Sequence, residues 1–248
     1  MDEPAAYLVP AAGADVAHEI EVRRSRFLCL LRRTPNEAAA RAFVTEQRRA
    51  HPTARHHCSA FVVGSRRDLQ RSSDDGEPAG TAGMPMLQVL LGADGGRGAG
   101  AAGRQGAGRE PGVGEAPGAG SAGPPGPLSD VTAVVVRWFG GTLLGAGGLV
   151  RAYSEAVAGV LAVAPLVVRE RRALLRIAVR HDVAGRIEHD LRAAGVLVAD
   201  LGYGADGVEI TVAVADAPGS RGRFSAWCAE HRVVPEAAGH EWVDVAAG

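Results

Sequence analysis

The 248-residue chain contains no lysine, and all 27 of its basic residues are arginine. The absence of lysine excludes the phosphate-binding lysine of a P-loop, a Schiff-base lysine and a lysine general base. The net charge is only −1. The chain as a whole is therefore not a strongly basic nucleic-acid binder, although one of its faces can still be basic.

Cysteine and long apolar runs are also scarce. The three cysteines form no CxxC pair, which argues against a disulfide framework and a cysteine-based zinc site. The first residues have neither a basic segment nor a long apolar stretch, so we expect no signal peptide. Runs such as VTAVVV are too short to cross a bilayer. With 46% hydrophobic residues the chain can form a full core. We therefore expect a cytoplasmic protein that binds no membrane and needs no cofactor.

Glycine, alanine and proline dominate residues 92–127, with 14 Gly, 8 Ala and 5 Pro in 36 positions. Such a composition buries too little apolar surface to offset the entropy cost of ordering the chain. We expect a disordered loop inserted between a helix that ends near Leu91 and a strand that begins near Val131. A tolerated surface insertion is the simpler interpretation, and a functional segment is the alternative.

Around this insertion we expect an N-terminal domain over 16–165, preceded by a tail over 1–15, and hydrophobic periodicity predicts its elements. The expected elements are a strand from Ile20 to Leu31, a helix capped by Thr34, a strand over 57–63, a loop over 72–83, a helix over 84–91, a central strand over 131–137, a glycine-rich loop over 140–148 and a helix over 149–162. The all-apolar strand over 131–137 is suited to burial on both faces of a sheet.

A second domain is predicted over 169–248, with its boundary near 165–170. Its elements follow the order β-α-β-β-α-β, which is that of the ferredoxin-like split unit. The expected fold class is therefore α+β with two domains.

Three carboxylates stand close together in the loop SSDDGEPAGTAG, at Asp74, Asp75 and Glu77. Oxygen ligands at this spacing suit Mg²⁺ or Ca²⁺, although the spacing is not that of an EF-hand. Alternatively, Asp75 or Glu77 caps a helix that begins near Pro78. Both interpretations stay open at this point.

A second glycine-rich loop connects the central strand to the following helix. Its backbone N–H groups, together with the positive end of the helix dipole, form a candidate anion site. Alternatively, the glycines permit close packing of the helix on the strand, and Arg137 and Arg151 are surface or ion-paired residues. The loop matches neither the Walker A motif nor the dinucleotide fingerprint, because Ala146-Gly147 and Val150 stand where those motifs need other residues. The candidate residues for binding an anion or a nucleic acid are Arg137, Gly140, Gly141, Gly145, Gly147, Gly148 and Arg151.

Arg151 is expected in the first turn of that helix, where a cation is unfavourable unless an anion accompanies it. The partner of Arg137 and Arg151 is either an internal carboxylate or an external phosphate, and we favour the phosphate. Arginines that cluster between Arg23 and Arg71 could extend a basic face, with Arg24 and Arg26 as candidates beside Phe27. A solvated surface is the alternative.

Adjacent His56 and His57 point to opposite faces if they lie on a strand, so they do not bind one metal jointly. Cys58 beside them suggests a thiol nucleophile, but no third orienting group is evident. Incidental histidines on a half-buried strand are the simpler interpretation.

Taken together, the segments RSRFL, ARHHCSAFVVG, SDDGEPAGTAGMPML and VVVRWFGGTLLGAGGLVRAY resemble the IMPACT family, in its bacterial YigZ-type branch. The resemblance spans roughly 16–165. It implies a ribosomal protein S5 domain 2-like fold for the N-terminal domain and a ferredoxin-like, elongation factor G-like module for the C-terminal one. It also implies that 73–83 and 137–151 face one groove, lined by Asp74, Asp75, Glu77, Thr81, His56 and His57.

We therefore expect a non-enzymatic protein that binds RNA or the translation machinery, and regulation of translation is a role that such binding would serve. One alternative is a metal-dependent enzyme acting on a phosphorylated or nucleotide substrate, with Asp74, Asp75 and Glu77 as the metal ligands. Another is a protein-interaction module. The sequence predicts no oligomeric state.

Overall fold

The computed structural model describes residues 4–13, 15–94, 126–216 and 218–245. These residues form a mixed α and β structure with two sheets and five helices, divided into two compact units between Val168 and Arg169. The elements are β1 Ala6–Pro10, β2 Val16–Val22, β3 Ser25–Arg33, α1 Glu37–Ala50, β4 His56–Val63, β5 Leu69–Ser73, α2 Gly83–Gly92, β6 Val131–Trp138, α3 Gly145–Val163, β7 Leu166–Val179, α4 His181–Ala193, β8 Leu197–Tyr203, β9 Val208–Ala215, α5 Pro218–His231 and β10 Glu236–Val245.

The first unit is built on an antiparallel sheet of order β2-β3-β6-β4-β5. β6 occupies the centre and is buried from Val131 to Arg137, so the prediction of a central apolar strand is confirmed. Successive β6 side chains face opposite sides of the sheet. Val134 and Val136 pack against Phe43 of α1. Arg137 points to the other side, where it shares a hydrogen-bond partner with Tyr153 of α3.

The predicted single strand from Ile20 to Leu31 is wrong, because the chain reverses within it. β2 and β3 form a hairpin in which Val22 pairs with Ser25. The two residues between them, Arg23 and Arg24, have φ angles of 47° and 68°. Two-residue hairpin turns need positive φ and usually carry Asn or Gly. The Arg-Arg pair gives no such signal, so the sequence does not predict the turn.

The expected N-terminal tail is also wrong, since Ala6–Pro10 forms β1 with Tyr7, Leu8 and Val9 buried. The Leu8 N–H donates to the Pro127 carbonyl at 3.0 Å, and the Leu8 carbonyl accepts from the Ser129 N–H at 2.9 Å. The run is only a few residues long, so periodicity could not reveal it.

Two local predictions about loops need correction. The N-cap of α1 is Asn36, whose side-chain oxygen accepts from the Ala39 N–H at 2.9 Å, and not Thr34. Thr34 is buried, with its hydroxyl 2.7 Å from that of Thr132. The loop predicted over 72–83 begins later, because β5 extends to Ser73 as a partner of β4.

Most of the 92–127 segment predicted to be disordered lies outside the described residues. Its described ends are held together, since the Leu128 N–H donates to the Ala93 carbonyl at 3.0 Å. Asp94 and Pro127 form an antiparallel bridge. The two ends therefore meet at one point on the surface of the first unit.

α3 is long and apolar enough, by length and composition, to cross a membrane. Core helices of globular domains pass the same test, and six α3 side chains are buried: Leu149, Ala152, Tyr153, Ala156, Val157 and Val160. These buried residues recur with the helical period of 3.6, as in a helix that packs one face against a sheet.

The second unit has the element order β7, α4, β8, β9, α5, β10. β10 pairs with β7, β7 with β9, and β9 with β8, so strands that follow one another in sequence are mostly not neighbours. Ile177, Ile210 and Val212 of the sheet form one buried core with Leu191 of α4 and Phe224 of α5.

Candidate nucleic-acid interface

Asp74 organises the acidic loop by accepting three backbone N–H groups. Its carboxylate lies 2.7 Å from Gly80 N, 3.0 Å from Ala82 N and 2.8 Å from Gly83 N. Burial raises the pKa of the Asp74 carboxyl, but these donors outweigh burial and the pKa lies below its ordinary value. Ala82 is the N-cap of α2 and supplies no side-chain bond. The cap predicted at Asp75 or Glu77 is therefore provided by Asp74.

Asp75 fastens the loop to β4 and α1. Its carboxylate accepts from the His57 N–H at 2.6 Å and from Arg48 Nη2 at 2.5 Å. The residue has a φ of 46°, in the left-handed region that Asp tolerates better than most residues. Its carbonyl oxygen lies 2.9 Å from His56 Nδ1. Asp75 is thus engaged on both oxygens and through its backbone.

The two histidines are held by carbonyl groups, which fixes which nitrogen carries the proton. His57 Nε2 lies 3.1 Å from the His51 carbonyl, so Nε2 is the donor. Burial lowers the pKa of His57, which favours the neutral side chain. His56 Nδ1 donates to the Asp75 carbonyl, and His56 Nε2 lies 3.9 Å from Glu77 Oε1.

Glu77 is the centre of a buried polar cluster that joins the acidic loop to β6 and α3. Its Oε1 accepts from Arg137 Nη1 at 2.5 Å and from the Tyr153 hydroxyl at 2.8 Å. The Cys58 thiol lies 3.3 Å from the Tyr153 hydroxyl and 3.0 Å from the Asp74 carbonyl. The segments 73–83 and 137–151 are brought together by these bonds.

Burial disfavours the ionised forms of both the thiol and the phenol of this cluster. Burial raises the pKa of Cys58 to about 12, and burial also raises the pKa of Tyr153. The thiolate is the nucleophilic form. The raised pKa disfavours the thiolate at neutral pH, which argues against the thiol nucleophile considered from the sequence.

Arg137 is buried, with 6% of its surface exposed. Its guanidinium lies 5.3 Å from the ring of Phe27 and 5.7 Å from that of Phe139. Nε is buried without a hydrogen-bond partner among the described residues. The external phosphate that we favoured for Arg137 is a wrong expectation, because Glu77 is an internal partner on the same side of the sheet.

The glycine-rich loop lies against the β2–β3 turn. A side chain at Gly140 would place its Cβ 2.0 Å from the carbonyl carbon of Arg24, so only glycine fits there. The Gly140 N–H donates to Ser25 Oγ at 3.1 Å, and Arg24 Nη2 donates to Thr142 Oγ1 at 3.0 Å. The sequence predicts Arg24 only as a member of a basic cluster, whereas in the structure its side chain contacts the glycine-rich loop.

The N-terminal end of α3 carries no acidic residue and no side-chain cap. The helix begins at Gly145, earlier than the predicted 149, and its first turn, Gly-Ala-Gly-Gly, is largely exposed. The first N–H groups of a helix have no partner within it and carry the positive end of its dipole. Gly141 and Gly145 have φ angles of 82° and 70°, which glycine adopts without strain.

Arg151 is the seventh residue of α3 and not in its first turn as predicted. Side chains of a helix point toward its N-terminus, over residues three and four positions earlier. Those residues are Gly147 and Gly148, which have no side chains to shield the guanidinium. Arg151 is exposed, and neither it nor Arg24 has an acidic partner among the described residues.

Two other sequence candidates have internal roles. Arg26 is bonded to Glu19 at 3.1 Å and 2.8 Å and stacks over Trp138 at 4.9 Å, so its charge is compensated. Thr81 is buried and donates to the Pro78 carbonyl at 2.6 Å. Sequence reasoning did not identify Arg48 and Tyr153 as site residues, because their partners lie 27 and 76 positions away.

The metal ligand set considered from the sequence does not converge. Asp74 bonds backbone N–H groups, Asp75 bonds Arg48 and His57, and Glu77 bonds Arg137 and Tyr153. Within the described ranges, no group of three or more His, Cys, Asp or Glu side chains is arranged to hold a metal ion.

Known proteins match this chain over the same segments. A family model described as the Impact N-terminal domain matches residues 23–99 and 126–161. The chain is 33% identical over 213 residues to IMPACT family member YvyE of Bacillus subtilis, covering 86% of this chain and 82% of that protein. It is 44% identical over 153 residues to IMPACT family member YigZ of Escherichia coli, covering 61% and 58%.

A solved structure titled as the crystal structure of a hypothetical protein is also similar. It has 31% sequence identity and a TM-score of 0.55, covering 94% of this chain and 97% of that one.

Proposed function

The chain belongs to the IMPACT family and is of the YigZ type, and from that premise we propose that it is a non-enzymatic protein that binds RNA through the N-terminal end of α3. The observation that carries the proposal is the exposed, uncapped start of α3, with Arg24 and Arg151 beside it and free of acidic partners among the described residues.

The charges around this site support a phosphate ligand. The three carboxylates of the acidic loop are each compensated within the protein, by backbone N–H groups, by Arg48 or by Arg137. Arg24 and Arg151 retain their charge, and the helix terminus adds roughly half an elementary charge. The surplus at this surface is therefore positive although the chain is nearly neutral.

Exposed apolar side chains on the same loop support a nucleic acid over a small anion. Phe139 is 46% exposed and Leu143 is 82% exposed. Nucleic-acid surfaces combine basic groups with aromatic rings on which bases stack. The ring of Phe139 already has the guanidinium of Arg137 at 5.7 Å, which orients it beside the loop.

The chemistry of the cluster supports a binding role over an enzymatic one. A general acid or base needs a pKa near the working pH. Cys58 has a pKa of about 12, and the Glu77 carboxylate is occupied by two donors. We propose that the cluster holds the acidic loop, β6 and α3 in fixed positions relative to one another.

We also propose a fold for each unit and a cytoplasmic partner. We assign the first unit to the ribosomal protein S5 domain 2-like fold, and the second to a ferredoxin-like unit with the strand order β10-β7-β9-β8, like a module of elongation factor G. Both assignments favour a cytoplasmic RNA of the translation machinery as the partner.

The test is the affinity of the full chain for a 20-nucleotide single-stranded RNA, measured by fluorescence anisotropy at fixed salt. We expect Arg24→Ala/Arg151→Ala to weaken binding about tenfold, because two phosphate contacts are lost. Arg186→Ala removes another exposed arginine from α4 and serves as the control, with unchanged affinity expected. Equal affinities for the double variant and the wild-type chain would refute the proposal.

A protein partner is the second candidate, favoured by an apolar groove of about 480 Å³ between α2 and α3. Met84 and Val150 line it and are 47% and 37% exposed. Under this alternative, Met84→Gln/Val150→Gln abolishes capture of a specific protein from the source cells, and Arg24→Ala/Arg151→Ala does not.

A further inference from the structure

The second unit contains a cavity of about 540 Å³ that is remote in sequence from the proposed RNA site. It lies between the turn after α4, the end of β9 and one side of α5. We infer that this cavity binds a small organic molecule carrying a single carboxylate or phosphate on an apolar body. Cavities of roughly 300–1,000 Å³ are typical of small-molecule sites.

The cavity exists because strand pairing stops early at this edge of the sheet. β8 begins at Leu197, which pairs with Ala213, so β9 continues past β8 through Val214 and Ala215. The space beside that extension is bordered by small residues: Ala194, Gly195, Ala213, Ala215 and Ala226. Gly195, with a φ of 74°, ends α4 and turns the chain away from the gap.

Two arginines give the lining its positive charge. Arg172 Nε is buried and has no hydrogen-bond partner among the described residues, and Arg172 Nη2 has only a long contact of 3.5 Å to Glu170. Arg223 Nη2 donates to Ser220 Oγ at 3.2 Å and has no acidic partner in the described parts of the chain. A buried unpaired donor is unfavourable, and an anionic ligand that accepted from Arg172 would remove that cost.

The rest of the lining selects for an apolar body and against high charge. Phe224, Trp227 and Val196 form an apolar wall. Glu230 is the acidic residue of the lining, and Arg172 is ion-paired with Glu170 at 3.5 Å, so Arg223 is the arginine of the lining without an acidic partner among the described residues. A lining with one such arginine suits one carboxylate or phosphate and disfavours polyphosphates and nucleic-acid backbones.

The probes are phenyl phosphate and benzoate, each titrated into the full chain by isothermal calorimetry. We expect at least one of them to bind with a Kd below about 1 mM. Arg223→Ala and Arg172→Met are each expected to weaken that binding about tenfold, as for the loss of one charge-assisted contact. Arg223 is exposed on α5, so its variant tests the site even if Arg172→Met fails to fold.

Arg180→Ala is the matched control, because Arg180 is exposed in the same unit and does not line the cavity. Its affinity for the probe should equal that of the wild-type chain. A Kd above about 1 mM for both probes would overturn the inference. So would equal probe affinity in the wild-type chain, Arg223→Ala and Arg172→Met. RNA binding is unaffected in either case, so failure here is distinct from failure of the proposed function.

Discussion

Replacing Glu77 by leucine should destabilise the first unit strongly, because it leaves Arg137 buried without its counter-ion. Arg137 is 6% exposed, and its one charged partner among the described residues is Glu77, at 2.5 Å from Nη1. Breaking a buried ion pair by removing one member costs about 3–5 kcal/mol. The Tyr153 hydroxyl loses its acceptor in the same variant.

The assay is urea unfolding followed by the fluorescence of Trp138, in a background where Trp227 and Trp242 are replaced by phenylalanine. The chain has three tryptophans, and Trp138 is the one in the first unit. Glu77→Leu should lower the free energy of unfolding by about 3–5 kcal/mol. The double variant Glu77→Leu/Arg137→Met should recover part of that loss, because it removes the unpaired charge.

Glu37→Leu is the control, since Glu37 pairs with Arg41 on the exposed surface of α1 and contributes little to stability. A loss below about 1 kcal/mol in Glu77→Leu, or a double variant no more stable than the single one, would show that Arg137 does not depend on Glu77.

Three further predictions concern the loops. Asp74→Ala should lower the free energy of unfolding by about 0.5–2 kcal/mol at pH 7. The pKa of Asp74 in the folded protein lies below its ordinary value, so this loss should be constant above about pH 4 and vanish as the pH falls through the lowered pKa. Urea unfolding of both proteins at several pH values measures the difference. Gly140→Ala should destabilise the protein by about 1–3 kcal/mol in thermal unfolding, because its Cβ would clash with the backbone of Arg24. Gly147→Ala is the comparison: its Cβ meets nothing within 4 Å, so it should stabilise α3 by about 0.5–1 kcal/mol. Equal effects of the two variants would contradict the close contact between Gly140 and Arg24. Replacing residues 95–125 by two glycines should change the free energy of unfolding by less than about 1 kcal/mol and leave RNA affinity unchanged, because the flanking residues Asp94 and Pro127 already pair, and a larger loss would assign this segment a structural role.

The central strand could be predicted from the residues themselves because it rests on a local pattern, whereas the meeting of segments 73–83 and 137–151 was implied only by the family resemblance. The run VTAVVV is apolar at every position, which is typical of a strand covered on both faces. The glycines of the second loop are compatible with close helix–strand packing, but the contact of Gly140 is with the β2–β3 turn, which the sequence did not indicate. Local signals such as the apolar run lie within a few residues of the feature they predict.

The partners of the charged side chains could not be predicted, because they depend on strand register and helix placement. Arg137 and Glu77 are 60 positions apart, and Tyr7 and Asp130 are 123 apart. Three adjacent carboxylates look equivalent in sequence. In the fold, Asp74 caps a helix, Asp75 holds an arginine of α1, and Glu77 holds an arginine of β6. Turn positions such as Arg23 and Arg24 carry no compositional signal at all.

The most direct test of RNA binding at the start of α3 is the dependence of affinity on salt. For a 20-nucleotide single-stranded RNA, the slope of log K against log salt concentration falls by about 0.7 for each phosphate contact removed. We expect the slope of Arg24→Ala/Arg151→Ala to be smaller than that of the wild-type chain by about 1.4, and that of Arg186→Ala to be unchanged. Identical slopes for all three proteins would contradict the assignment of this surface to RNA.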